Sequence, residues 1–157
     1  MHFYKSLTLE EATKRMKSYC AYQERCHQDV IQKLRELRMI PEAIDLIVSH
    51  LIQENFLNEE RFSRSFARGK FNIKKWGKIR ITNELKKRKI STYNINAALK
   101  EIDEADYHKT LKNLALKRMS QIKEKDKFKR RRKLADYLLY RGWESELVYA
   151  RIKELIG

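Results

Sequence analysis

Residues 30–51 read Val30-Ile31-Gln32-Lys33-Leu34-Arg35-Glu36-Leu37-Arg38-Met39-Ile40-Pro41-Glu42-Ala43-Ile44-Asp45-Leu46-Ile47-Val48-Ser49-His50-Leu51. Val30, Leu34 and Leu37 stand four and three residues apart, the spacing of one helix face. Ile44, Ile47, Val48, Leu51 and Ile52 mark the apolar face of a second helix. Pro41 suits the first turn of that second helix, where its missing N–H is no loss. The pattern returns twice. Val30, Leu34, Ile44, Val48 and Leu51 fall in register on Ile81, Leu85, Ile95, Leu99 and Ile102. Those in turn, with Ile90, fall on Leu134, Leu138, Val148, Ile152, Leu155 and Trp143. A gap-free apolar register with a period of about 50 residues is the mark of a helical repeat.

Working outward, the chain reads as nine helices, near 8–21, 26–37, 41–54, 58–72, 77–88, 92–102, 105–123, 127–140 and 144–156. Thr8 followed by Glu11 forms a capping box, Asn58 followed by Glu59 and Glu60 opens another helix, and Ser91 or Thr92 caps a third. With 4 glycines and 1 proline in 157 residues, the turn-formers needed by a many-stranded β fold are missing. The expected fold is all-α, an elongated array of three tandem three-helix repeats, residues 1–56, 57–104 and 105–157. A unit of this size can bury a small core of its own. Four residues after each anchor leucine stand Arg38, Lys89 and Gly142. Glycine suits a left-handed helix end; Arg38 and Lys89 must accept roughly 1 kcal/mol of strain or use a different turn.

The formal net charge is +15, from 36 basic and 21 acidic side chains. It is unevenly spread. Residues 1–56 are neutral, whereas residues 57–100 carry 13 basic and 3 acidic side chains, net +10. Such an excess concentrated in one repeat is an electrostatic footprint for a polyanionic partner. No run approaches the ~18 apolar residues of a membrane span. Met1–Lys5 lacks the basic head and apolar core of a secretory signal, and two cysteines read as reduced thiols, so a cytoplasmic location is expected.

Three stretches resemble one family. Phe56-Leu57-Asn58-Glu59-Glu60-Arg61-Phe62 is similar to the Leu-Leu-Asp-Asp-x-Arg-Phe-Ala stretch of the RecX regulatory proteins. Trp76-Gly77-Lys78-Ile79-Arg80-Ile81-Thr82-Asn83-Glu84-Leu85 resembles their Gly-x-x-Ile-x-x-Glu-Leu run, and Leu138-Leu139-Tyr140-Arg141-Gly142-Trp143 their Leu-x-x-Arg-Gly-Phe segment. The departures are Asn58 and Glu59 for paired aspartates, Ser63 for alanine and Lys89 for glycine. The resemblance implies a helical-repeat module that binds the filament of the RecA recombinase on DNA, limits its growth and reduces its ATPase and strand-exchange activities. It implies a role in homologous recombination, DNA repair and the SOS response.

The candidate partner- and nucleic-acid-binding residues are Arg61, Arg64, Arg68, Lys74, Lys75, Trp76, Lys78, Arg80, Lys86, Lys87 and Arg88, with Lys129, Arg130 and Arg131 in a second basic run. Arg61, Arg64 and Arg68 share one helix face, with Phe62 and Phe66 as the adjacent apolar stripe. Lys and Arg without Asn or Gln at base-reading positions point to sequence-independent contact with single- or double-stranded DNA. Trp76 either stacks on a partner or, as the commoner use of such a residue, seals a junction between two helices. Core or junction packing is expected for Tyr19, Tyr22, Tyr137 and Tyr140. Cys20 and Cys26, with His27, lack the further ligands of a zinc site. No phosphate loop, nucleophile elbow or His-Glu-x-x-His occurs, so no catalytic residue, metal or cofactor is assigned and the chain is expected to be a non-enzymatic monomer. The alternative is a stand-alone nucleic-acid-binding helical-repeat protein with no recombinase partner.

Overall fold

The structure, a computed structural model, describes residues 6–157. The reading of Met1–Lys5 lies outside the described residues. Among these, nine helices and no strands occur: α1 (Leu9–Tyr22), α2 (His27–Glu36), α3 (Pro41–Gln53), α4 (Glu59–Asn72), α5 (Lys78–Lys87), α6 (Thr92–Leu99), α7 (Glu104–Gln121), α8 (Lys127–Tyr140) and α9 (Ser145–Ile156). They form three successive three-helix repeats. The capping box of Thr8 and Glu11 is present on α1, Asn58 caps α4 through the Arg61 N–H, and Ser91 caps α6 through the Asn94 N–H. Helix α6 stops at Leu99 rather than running on to residue 102. The chain turns there and brings the Glu101 carboxylate to Arg64 and Arg68 of α4.

The second helix of every repeat ends in the same turn. Met39, Ile90 and Trp143 donate their N–H groups to the carbonyls of Leu34, Leu85 and Leu138, and the preceding residue has positive φ in each case. This is the Schellman motif. Arg38 (φ 60°) and Lys89 (φ 59°) therefore take the strained option, and Gly142 (φ 90°) takes it without a Cβ. The departures from the family pattern are absorbed locally. The buried Ser63 hydroxyl donates to the Glu59 carbonyl, so a serine in place of alanine leaves no orphan polar group.

The apolar residues do not divide into three cores. Ala12, Met16, Cys20, Val30, Leu34, Ile44, Ile47 and Leu51 of the first repeat form one cluster with Leu57, the first residue of the second. A second cluster runs without a break from Phe62 and Phe71 of α4 to Leu134, Trp143 and Ile152 of the third repeat. The expectation of one small core per unit is corrected: the second and third repeats share theirs. The reason is the Trp143 ring, which is fully buried, stacks on Tyr107 at 4.4 Å and meets Phe71 at 6.4 Å. Its indole N–H donates to the Lys75 carbonyl (3.1 Å).

Two glycines let these repeats approach. The Gly77 N–H donates to the Arg141 carbonyl (2.8 Å) and the Ile79 N–H to the Gly142 carbonyl (3.0 Å), a backbone-to-backbone seam between repeats. A Cβ on Gly77 would lie 2.6 Å from Trp143 Cα and closer still to the Gly142 carbonyl. Tyr107 completes the seam: its hydroxyl accepts from the Lys78 N–H (2.8 Å) and donates to the Glu144 carboxylate. Burial first, and then the hydrogen bond to Glu144, push this phenol far above its ordinary range.

The first repeat joins the second differently, through polar contacts. Arg61 Nε donates to Glu24 (2.6 Å), and its terminal nitrogens donate to the Asn55 side chain and to the Asn55 and Phe56 carbonyls. His27 meets Glu59 at 3.2 Å. Of the first repeat's buried apolar residues, Cys26 alone among those described belongs to the larger core.

Candidate nucleic-acid and filament interface

The basic residues singled out from the sequence fall into three groups. The first is committed to holding the fold. Arg61 clamps the first repeat, Arg64 bridges Glu60 and Glu101 (both 2.8 Å), and Arg68 also reaches Glu101 (3.3 Å). The Glu101 carboxyl is held below the ordinary carboxylate range, chiefly by the hydrogen bond from Arg64. Lys78 pairs with Glu104 at 2.9 Å and lies over the Tyr107 ring. The face drawn through Arg61, Arg64 and Arg68 is thus turned toward acids of the same chain. Phe62 is buried and Phe66 half-buried beneath it.

The second group forms a ladder of alternating cations and aromatic rings. Arg88 lies over Phe66 (4.9 Å), and Lys70 lies over both Phe66 and Trp76 (5.4 and 5.0 Å). Arg80 lies over Trp76 at 4.2 Å and over Tyr140 at 5.0 Å. On the same side of α8, one turn before Tyr140, the Tyr137 ring carries Arg118 (4.6 Å) and Arg141 (4.5 Å). Arg141 donates onward to the Lys74 carbonyl (3.4 Å), so α4, α5, α7 and α8 all contribute to one surface. Each cation held against a ring retains its charge and gives up side-chain freedom before any ligand arrives, the condition for cheap phosphate binding.

Trp76 packs at a helix junction, the second of the two uses expected for it. It is half-buried at the junction of α4 and α5, edge-on to Phe66 at 6.3 Å, and it positions two cations. The tyrosines require a correction. Tyr19 and Tyr137 are half-buried, but Tyr22 and Tyr140 are 83% and 76% exposed. Both sit at or near a helix end, beyond the stretch that faces a neighbour, and Tyr140 serves instead as a platform for Arg80.

In the third group Lys74, Lys75, Lys86, Lys87 and Lys129 are exposed, whereas Arg130 and Arg131 are half-buried. Lys74 and Lys75, in the turn between α4 and α5, and Lys86 on α5 make no side-chain ion pair among the described residues, and Lys87 bonds Glu84 at 3.3 Å. Lys129 and Arg130 open α8 about 16 Å along the helix from Tyr140, apart from the ladder. Arg131 beside them donates to the Gly157 carbonyl. Arg118, Tyr137, Tyr140 and Arg141 belong to the ladder but were not among the site residues named from sequence. The i, i+3 pair Tyr137 and Tyr140, next to Arg141, was the available signal.

Comparison with known proteins places this architecture. Residues 58–99 match the model of the RecX second three-helix domain and residues 105–151 that of the third. The chain is 29% identical over 146 residues to a regulatory protein RecX of Prosthecochloris aestuarii, covering 93% of this chain and 94% of the relative. It is 27% identical over 150 residues to that of Clostridium acetobutylicum, covering 93% and 69%. Against the Limosilactobacillus reuteri protein, identity is 26% and coverage 92% of this chain but 54% of the relative, so the chain spans about half the length of some of its relatives. A crystal structure of a regulatory protein RecX superposes with a TM-score of 0.82 at 26% identity, covering 93% of this chain and 71% of that one. RecX from Lactobacillus salivarius shares the fold, with a TM-score of 0.80 at 23% identity over 94% and 96% of the two chains. Among the described residues no helix is long and apolar enough to cross a membrane. With its helix triplets, their shared turn and two matching domain models in order, the chain belongs to the RecX family of regulatory proteins.

Proposed function

We propose that this chain acts as a non-enzymatic cytoplasmic monomer that binds the RecA recombinase filament on DNA and lowers its ATPase and strand-exchange activities. On this reading its units are residues 1–56, 57–104 and 105–157. The ladder across the second and third repeats supplies the polyanion contact through Lys70, Trp76, Arg80, Arg88, Arg118 and Arg141, and the exposed Lys74, Lys75, Lys86 and Lys87 beside it are assigned weaker, additional contacts. Lys129, Arg130 and Arg131 are assigned a peripheral contact. Arg61, Arg64, Arg68 and Lys78 act indirectly, by holding the surface in place.

The observation that carries this reading is the ladder itself. Guanidinium groups preset on aromatic rings along two rigidly joined repeats suit a regular anionic backbone better than a compact ligand. Family membership supplies the recombinase. The test is the DNA-dependent ATPase of the cognate RecA with increasing amounts of the protein. A concentration-dependent slowing that is lost in Arg80→Glu/Arg141→Glu supports the proposal. Binding to bare DNA with no effect on the ATPase would favour a stand-alone nucleic-acid-binding protein instead.

A further inference from the structure

A cleft of about 440 Å³ opens between the first and second repeats, on the other side of α4 from α6. One wall is a single face of α4, on which Phe62, Phe66, Gly69 and Ile73 recur at helical spacing. The opposite wall is Tyr19 and the turn after α1, including Arg25. Lys70, Lys74 and Arg88 stand at the rim.

Three observations bear on what enters it. Gly69 lies inside α4, where glycine weakens a helix, yet a Cβ there would meet nothing within 4 Å. No neighbour within the chain therefore requires the glycine, whereas a close approach from outside would use it. Beside it, Ile73 is 78% exposed, a branched aliphatic side chain at the mouth of the cleft. The aromatic rings of the lining already carry this chain's own cations. Arg25 lies 3.7 Å from the centroid of Tyr19, which Lys33 also approaches, and Phe66 carries Lys70 and Arg88. A nucleobase entering the cleft would have to displace one of them in order to stack.

The charges set the sign of the occupant. The two acids of the lining are engaged: Glu24 accepts from Arg61, and Asp29 accepts from the Cys26 N–H at the start of α2. Lys74 makes no side-chain ion pair, Arg25 and Lys70 lie against their rings with no ion pair among the described residues, and Arg88 is shared between Phe66 and the Glu84 carboxylate (3.3 Å). We propose that this cleft is a docking site for an acidic peptide segment of a protein partner, with an aliphatic side chain seated against Gly69 and Ile73 and its carboxylates at Lys74 and the neighbouring cations. The cleft borders the ladder and shares Phe66, Lys70 and Arg88 with it, but the seating of an aliphatic side chain against Gly69 and Ile73 does not depend on the function proposed for the ladder.

Fluorescence anisotropy with two labelled peptides and an oligonucleotide tests this. The first peptide is rich in Asp and Glu and carries two leucines, the second has serine in place of leucine, and the third probe is oligo(dT). The leucine peptide is expected to bind the 157-residue chain, with the serine peptide at least tenfold weaker. Gly69→Leu, which fills the cleft with a better helix former, should weaken the leucine peptide at least tenfold without lowering the melting temperature. Should Gly69→Leu disturb folding, Ile73→Ser and Lys74→Glu, at exposed positions, must each weaken it several-fold. The oligo(dT) affinity of Gly69→Leu should stay within twofold of the parent. Failure of the leucine peptide to bind, equal binding of the serine peptide, or indifference to the substitutions would overturn the proposal. An equal loss of oligo(dT) binding in Gly69→Leu would also overturn it, making the cleft a nucleic-acid site. Slowing of the RecA ATPase by the unsubstituted protein is read separately, so failure of the peptide proposal and failure of the proposed function are distinguishable.

Discussion

Gly77→Ala places one methyl group into the seam between the second and third repeats. Its carbon would lie 2.6 Å from Trp143 Cα, against 3.4 Å for ordinary contact, and nearer still to the Gly142 carbonyl. Both obstacles are backbone, so the repeats must part by about 1 Å. That separation stretches the Gly77–Arg141 and Ile79–Gly142 hydrogen bonds, now 2.8 and 3.0 Å. Breaking either leaves buried polar groups unsatisfied at about 1–3 kcal/mol. Loosened packing of the fully buried Trp143 adds to this, and the total comes to about 3–5 kcal/mol. At roughly 2–4 °C per kcal/mol for a chain of this size, the melting temperature should fall by about 6–20 °C. Urea unfolding is the direct assay, and the midpoint should drop with little change in slope. Gly142→Ala, at φ +90° and with its Cβ aimed at the Arg80 backbone, should be at least as damaging. Gly69→Ala is the control: with open space around it, it should stabilise α4 by about 0.5–1 kcal/mol. A Gly77→Ala protein within about 1 kcal/mol of the parent would refute the seam as the element that joins the two repeats.

Other expectations follow from the same geometry. Arg80→Ala should weaken oligo(dT) binding about tenfold and Lys87→Ala far less; if the ladder meets about 4–5 phosphates, log K against log[salt] should have a slope of roughly −3 to −4. Equal losses in the two variants would remove the privilege of the ladder. Because Arg64 and then Arg68 hold Glu101 below its ordinary range, the folded chain binds fewer protons than the unfolded one. Their contribution to stability is complete above the ordinary carboxylate pKa of about 4.3 and is lost as pH falls through the lower folded value, so melts at pH 6 to 3 should show a steeper acid decline than those of Glu101→Gln. Lys89→Gly relieves the left-handed strain in the second repeat and should stabilise by about 0.5 kcal/mol in thermal melts, whereas Lys86→Gly, inside α5, should destabilise. Small-angle scattering should give a radius of gyration clearly above the roughly 15 Å of a compact sphere of this length, and a value at that figure would contradict an extended array.

Much of the fold is legible in the sequence because its signals are local. The register of Val30, Leu34, Ile81, Leu85, Leu134 and Leu138 is intrahelical, and all six are buried. The caps at Thr8, Asn58 and Ser91 involve donors only three residues away. The turn shared by Arg38, Lys89 and Gly142 could be located in the same way, since its hydrogen bonds span only a few residues. The basic character of the middle repeat is likewise a matter of counting.

The site is less legible because charge along a chain does not reveal which partners packing will supply. Arg61, Arg64 and Arg68 look like an open cationic face at their i, i+3, i+4 spacing, yet Glu24 and Glu101, each 37 residues from its partner, draw Arg61 and Arg64 inward. Arg80 and Tyr140 lie 60 residues apart and meet only because Gly77 and Gly142 let two backbones touch. Helix periodicity specifies which side chains share a face, and the composition of 157 residues specifies the sign of the partner. The angle at which one repeat meets the next depends on steric fit at a few atoms far apart in the chain. That fit merges two cores into one, leaves the first repeat joined mainly by polar contacts, and converts a basic stretch into a ladder of fixed cations.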